Sequence, residues 1–169
     1  VKAAYSSGTP AIGVGAGNGP AYIHPSADIP RAVDRIFRSK TFDNGTVCAS
    51  EQSVIVEKAQ SQTVRAAIAQ AGGYFLSPEE AKQVAAVLFR ANGAMSPRVV
   101  GRTAGEIARL SGITVPDDTR ILLAREEGAG PGHPFSQEKL CPVLGFFEEE
   151  NEDAVLRRSI EILRYEGRG

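Results

Sequence analysis

Short runs of β-branched and aliphatic residues alternate with amphipathic helical patterns along most of this chain, and that alternation most restricts the folds open to it. Val54-Ile55-Val56, inside Ser53 to Glu57, is the clearest strand, because β-branched side chains suit a pleated, half-buried surface. Before it, Ile29, Ala32, Val33, Ile36 and Phe37 fall at the spacing of one buried helix face. Ser26 or Asp28 can cap that helix, with Pro30 in its first turn. Arg35, Arg38 and Lys40 lie toward its C-terminus, where the helix dipole favours cations. After the strand, a helix is expected over about Ala59 to Ala71, with Val64, Ala67, Ile68 and Ala71 inward and Gly72-Gly73 as its stop. Ser77-Pro78-Glu79-Glu80 and Thr103-Ala104-Gly105-Glu106 are capping boxes that open two more helices. The first turns Ala81, Val84, Ala85 and Leu88 inward and ends at Asn92-Gly93; the second ends at Ser111-Gly112. Ala11 to Val14, Pro20 to Ile23, Arg98 to Val100, Arg120 to Ala124 and the apolar run Leu140 to Phe147 supply further extended segments. Asn151 caps a last helix, with Val155, Leu156, Ile160, Ile162 and Leu163 expected to bury. Strand and helix in turn argue for an α/β fold, a mostly parallel sheet flanked by helices.

The 169 residues suffice for one domain with a real core. A net charge of −1, with no basic run, gives no support to a nucleic-acid partner. No stretch reads as a signal peptide or a membrane span. Two distant cysteines suggest free thiols in a reducing compartment. No spacing of His, Cys, Asp or Glu suggests a metal site.

Two stretches carry chemical interest. Gly13, Gly15, Gly17 and Gly19 stand at alternate positions, but Asn18 occupies the place of the third glycine in a dinucleotide fingerprint. An extended segment follows instead of the helix that a phosphate cradle needs. The loop reads either as a simple glycine-rich turn or as a place of close backbone approach. Phe42-Asp43-Asn44-Gly45-Thr46-Val47-Cys48-Ala49-Ser50-Glu51-Gln52 joins a helical pattern to the Val54 strand through an Asn-Gly turn. A turn can expose a nucleophile and aim backbone N–H groups at the reacting atom. Cys48 is the candidate nucleophile. Cys141, in its apolar run, reads as a packed residue.

The segment from Phe42 to Val54 resembles the catalytic-cysteine segment of the CoA-acylating aldehyde dehydrogenases. That family includes the aldehyde dehydrogenase part of bifunctional aldehyde–alcohol dehydrogenases and the aldehyde dehydrogenases of bacterial microcompartments. Gly13 to Pro20 is similar to the segment that faces the cysteine there; the glutamate that activates water in hydrolytic relatives has no counterpart, since Ile12 to Tyr22 holds no acid. A thioester passed to a thiol needs no such base. Pro134 to Leu144 resembles the stretch whose glutamate holds the nicotinamide ribose. The resemblance implies Glu138 for that role, since a carboxylate can accept two hydrogen bonds from a diol. It sets Phe135 beside it on the cofactor side, with Phe135 and Pro142 shaping the segment.

The resemblance thus implies an aldehyde dehydrogenase catalytic domain over residues 1–169. Its activity would be NAD-dependent oxidation of a short-chain aldehyde to acyl-CoA through a thiohemiacetal and thioester on Cys48. Coenzyme A would be co-substrate and the intact enzyme a homo-oligomer, in the cytoplasm or inside a microcompartment. Val1 to Tyr5 reads as the middle of an uncapped helix, and the chain stops just after another. A fragment lacking its N-terminal NAD-binding domain and C-terminal remainder is therefore expected, against the alternative of a small complete domain. Other readings remain at this point: a non-acylating aldehyde or semialdehyde dehydrogenase, a cysteine hydrolase pairing Cys48 with His24 or His133, and a non-catalytic assembly domain. Glu126, Glu127 and His133 are expected in a solvated loop.

Overall fold

The computed structural model describes residues 2–13 and 15–166. A helical turn, α1 (Lys2–Tyr5), is followed by β1 (Gly19–Ile23), α2 (Ile29–Thr41), β2 (Glu51–Glu57) and α3 (Lys58–Gln70). Then come β3 (Gly73–Phe75), α4 (Pro78–Leu88), α5 (Ala104–Leu110), β4 (Ile121–Arg125), β5 (Val143–Glu149) and α6 (Glu152–Glu166). The strands form one sheet in the order β1-β2-β5-β4-β3. Every pairing is parallel. This is the α/β architecture expected from the alternation.

Side chains alternate across the sheet and divide the core in two. Val54 and Val56 of β2, Ile121 and Leu123 of β4, and Leu144 and Phe146 of β5 pack with Val33, Ile36 and Phe37 of α2 and Val64 and Ile68 of α3. On the other face Leu122, Ala124 and Val143 meet Val84 and Leu88 of α4 and Ile107 of α5. Ile55 and Phe147 meet Val155 and Ile162 of α6 there. Each large side chain so buried contributes about 1.5–3 kcal/mol relative to exposure.

The caps form as expected. Asp28 accepts the Arg31 N–H at the start of α2, and both capping boxes are complete in α4 and α5. Asn151 accepts the Ala154 N–H before α6.

Several local expectations differ. Ala11 to Gly13 form no strand, and Ile12 is fully exposed; Val14 lies outside the described residues, as do Val1 and the last three residues. With no neighbouring strand to pair with, a short apolar run has no ladder to join. Arg98 to Val100 form a turn in which Val99 alone is buried. The α4 helix stops at Leu88, and Phe89 bridges to Met95 instead of extending to Asn92. Gly73–Phe75, too short to show a period, forms the β3 edge. On α6, Val155 and Ile162 are buried, but Leu156, Ile160 and Leu163 are 52%, 48% and 40% exposed. Those three positions share a stripe turned away from the sheet, so the apolar period is wider than the covered face.

Candidate active site

Cys48 stands in the connection between α2 and β2. At its start Asp43 (φ 47°), Asn44 (φ 50°) and Gly45 (φ 76°) are all left-handed. Asp and Asn tolerate that conformation better than other side chains, and glycine adopts it freely. The turn is held from both sides. Thr46 Oγ1 donates to Asp43 Oδ2 at 2.6 Å, and Asn44 Nδ2 donates to the Gly101 carbonyl at 3.0 Å. A Cβ at Gly45 would lie 2.8 Å from the Cys141 carbonyl group and 3.1 Å from Lys40 O. The Ser50 N–H then closes onto Val47 O at 3.0 Å. Between these fixed points the Cys48 side chain is exposed.

The glycine loop runs directly against this turn. A Cβ built on Gly17 would fall 2.0 Å from the Cys48 carbonyl oxygen, so only glycine permits the contact. Gly17 N donates to Glu138 Oε1 at 3.0 Å, across 121 positions of sequence. Next to it the buried Asn18 side chain donates to Ser136 O at 2.8 Å and Ile162 O at 3.1 Å. Close approach is thus the loop's role, and the strand β1 leaves it where a phosphate cradle would have a helix. Cys48 and Glu138, joined through Gly17, come together at the amino ends of β1, β2 and β5.

Beneath them lie two fully buried lysines. Lys40 Nζ donates to Gln52 Oε1 at 2.9 Å and to Lys139 O at 2.8 Å. Lys139 N donates to the same Gln52 oxygen at 2.8 Å, and Lys139 Nζ donates to Phe135 O at 2.7 Å and to Gln137 O. Burial pulls the Lys40 ammonium down to about 8, against the opposing pull of Cys141, Glu51 and Glu138. Burial pushes the Cys141 thiol up to about 11, against the nearby Lys40 and Lys139 cations. The sequence places Lys40 as a cation suited to the dipole at a helix end, and the structure buries it there. The signal available was Gln52, a polar residue directly before the run Ser53 to Val56 that the sequence marks as a strand, and buried with it.

Other residues singled out in the sequence lie elsewhere. Phe135 is 3% exposed and packed in the core, so it holds the segment by packing and has little surface to offer a cofactor. Cys141 is packed in the same cluster. His24 follows the carboxyl end of β1 and bonds Ser26 Oγ at 2.7 Å. It is five residues beyond Gly19, which pairs with Glu51, and therefore roughly 16 Å up the sheet from the Cys48 turn. His133 Nδ1 meets Glu126 Oε2 at 2.9 Å. Glu126 is buried, not solvated as expected: it accepts the Phe135 N–H at 2.9 Å, and burial raises its carboxyl above the ordinary value. Both border a cleft of about 530 Å³ with Arg65, Phe75 and Arg125, at the carboxyl ends of β3 and β4, and neither Cys48 nor Glu138 lines it. The two histidines are thus far from the thiol, and the hydrolase pairing has no geometry behind it. Among the described residues no group of three or more His, Cys, Asp or Glu is gathered to hold a metal ion. None of the described helices is long and apolar enough to cross a membrane.

Comparison with known proteins gives close likenesses. No protein-family model matches the chain. It is 45% identical over all 169 residues to an aldehyde-alcohol dehydrogenase of Clostridium acetobutylicum, of which it spans 20%. The crystal structure of a probable aldehyde dehydrogenase from Listeria monocytogenes superimposes with a TM-score of 0.94 at 53% identity, over 100% of this chain and 37% of that one. A propionaldehyde dehydrogenase of Rhodopseudomonas palustris gives 0.84 at 28% identity, over 96% of this chain and 37% of that one. The chain therefore spans about a fifth of the length of that curated relative and about a third of those solved chains.

Proposed function

We propose that this chain, similar in sequence and fold to acylating aldehyde dehydrogenases, carries the nucleophile and the ribose-holding carboxylate of an enzyme oxidising a short-chain aldehyde to acyl-CoA. One observation carries the reading. An exposed thiol in a tight turn and a carboxylate far away in sequence are brought together by one glycine that touches both.

The Cys48 thiolate attacks the aldehyde carbonyl and forms a thiohemiacetal, and its backbone N–H is the candidate donor to the oxyanion. Bound NAD supplies the hydride acceptor. Glu138 fits the nicotinamide-ribose end of that cofactor, since a half-buried carboxylate already oriented by the Gly17 N–H can accept from a diol. The glycine loop does not fit the pyrophosphate, because it enters a strand where a phosphate cradle has a helix. The cofactor's remaining contacts would then come from residues outside these 169, which alone are expected to form no NADH.

The second half-reaction follows from what faces Cys48. The loop from Gly15 to Gly19 presents glycines, an alanine and an asparagine, and no base to activate water. An acyl thioester on Cys48 is therefore kept for a thiol, and attack by the CoA thiolate releases acyl-CoA and restores the cysteine. The Rhodopseudomonas propionaldehyde dehydrogenase has been captured with CoA bound and a cysteine acylated, which supports the same order of events here. The compartment that suits this chemistry is the cytoplasm or a microcompartment within it, as in the fucose-utilisation microcompartment of Clostridium phytofermentans that houses another structural neighbour.

The test is NADH formation from propionaldehyde by the intact polypeptide, with and without CoA, in wild type and Cys48→Ala. Sustained turnover only with CoA, lost in the variant, is the expected result. Sustained turnover without CoA would instead mean that water is activated, and the acylating assignment would fall.

A further inference from the structure

The candidate site contains a charge that the proposed chemistry does not use. Lys40 is fully buried in the last turn of α2. A leucine or methionine would fill that space without stripping an ammonium of water. Its two hydrogen bonds reach two different elements: the Gln52 side chain at the start of β2, and the Lys139 carbonyl in the segment before β5. Gln52 Oε1 also receives the Lys139 N–H, so the three groups lock helix, strand and segment together. Lys139 follows Glu138 in sequence, and its own ammonium curls the segment onto Phe135 O and Gln137 O.

These contacts close a circuit. Cys48 O touches Gly17, whose N–H meets Glu138. Glu138 is covalently joined to Lys139, and the Lys139 carbonyl meets Lys40. The chain then runs from Lys40 through the left-handed turn back to Cys48. A neutral amine has two N–H donors for these two acceptors, and an ammonium has three, so the link holds in either protonation state.

We propose that Lys40 is a positioning residue, whose hydrogen bonds to Gln52 and to the Lys139 backbone fix the Glu138 carboxylate relative to Cys48 and so hold the place of a nicotinamide-nucleotide ribose. This rests on the ribose-holding reading of Glu138 given above. The acidic side chains in electrostatic reach of the Lys40 ammonium, Glu51 of β2 and Glu138 itself, both belong to segments that the circuit joins. An apolar side chain would fill the same volume and leave the buried Lys139 carbonyl without this donor.

The test is NADH binding to the intact polypeptide, followed by nucleotide fluorescence, in Lys40→Met, Glu138→Gln and the double variant, with KM for NAD⁺ and for aldehyde measured alongside. Lys40→Met is expected to raise the NADH Kd about fivefold, as coupled neighbours do. The double variant should bind no more weakly than Glu138→Gln alone, and KM should rise for NAD⁺ but not for aldehyde. A loss confined to folding would not produce that non-additivity or that split. Wild-type binding by Lys40→Met beside weakened Glu138→Gln would overturn the proposal, as would losses that multiply. Wild-type binding by Glu138→Gln would overturn the ribose reading first, and the proposal with it. If Lys40→Met does not fold, Gln52→Met, which keeps the ammonium and removes one acceptor, is expected to weaken NADH binding in the same way; unaltered binding there overturns the proposal.

Discussion

Gly17 and the carbonyl oxygen of Cys48 are in contact so close that a methyl group on Gly17 would stand 2.0 Å from that oxygen. The neighbouring atom is backbone, which cannot swing aside. Gly17→Ala is therefore expected to shift the cysteine turn or the glycine loop, at a cost of about 1–3 kcal/mol in stability. Thermal unfolding of the intact polypeptide and its NADH formation would both fall. An alanine variant with unchanged turnover would mean that the loop is not seated on the turn.

The left-handed turn gives a sharper comparison. Asn44 combines a positive φ with a hydrogen bond to Gly101 O. Asn44→Ala loses the bond and keeps a side chain in the disfavoured conformation, so a loss of about 2 kcal/mol is expected. Asn44→Gly loses only the bond, and its loss should be about half as large. Urea unfolding midpoints of the two variants check the order; equal midpoints would mean that the conformation carries no cost.

The two thiols should behave differently toward a small alkylating agent. Cys48 is exposed and Cys141 is buried, with its thiol pushed up to about 11 by that burial. Iodoacetamide at neutral pH is expected to label Cys48 in the folded protein and Cys141 only after unfolding, because the thiolate is the reactive form. Peptide mass spectrometry of the labelled protein reads both sites. Early labelling of Cys141 would show that its segment opens.

Lys40 makes a pH prediction whose sign can be worked out. Its ammonium gives up its proton near 8 in the folded chain and near the ordinary 10.5 in the unfolded one. Between those values the unfolded state binds the extra proton, so stability rises with pH. Below pH 8 the cost of the buried charge is fully present. Cys141, raised from 9.0 to about 11, works the other way: the folded state keeps its proton longer, and stability falls across that range. Comparing Lys40→Met with its parent, both carrying Cys141→Ala, isolates the lysine. The parent should gain up to roughly 1.4 kcal/mol per pH unit above pH 8 relative to the Lys40→Met variant. Parallel unfolding curves at pH 7.5 and 9 would contradict this.

Much of the scaffold was legible because it is written in local signals. The Val54 strand, the α2 face and the two capping boxes depend on residues a few positions apart. The Asn44-Gly45 turn was legible for the same reason, and so was the exposure of Cys48. The buried polar network was not. Lys40 at a helix end looks like any cation balancing a dipole, and only the arrival of Gln52 and Lys139 from other elements gives it a buried partner set. Glu126 was misread likewise, since its partner Phe135 N–H comes from beyond a glycine-rich loop. Leu156, Ile160 and Leu163 show the opposite error: helical spacing says which residues share a side, but not how far around the helix the sheet reaches.

The circuit through Gly17, Glu138, Lys139 and Lys40 also bears on when this site comes into being. The hydrogen bonds that close it join residues 121 and 99 positions apart, and the Gln52 bond that braces Lys139 spans 87. No such bond can offset the loss of chain freedom until distant segments have been brought side by side. During synthesis Cys48 is complete as a residue long before its surroundings exist, and it waits as an ordinary thiol until the stretch around Glu138 has left the ribosome and β5 has slotted beside β2. The site's assembly is therefore expected late, as a single cooperative event. A stalled or truncated chain that ends before Lys139 would keep its cysteine and lack its setting.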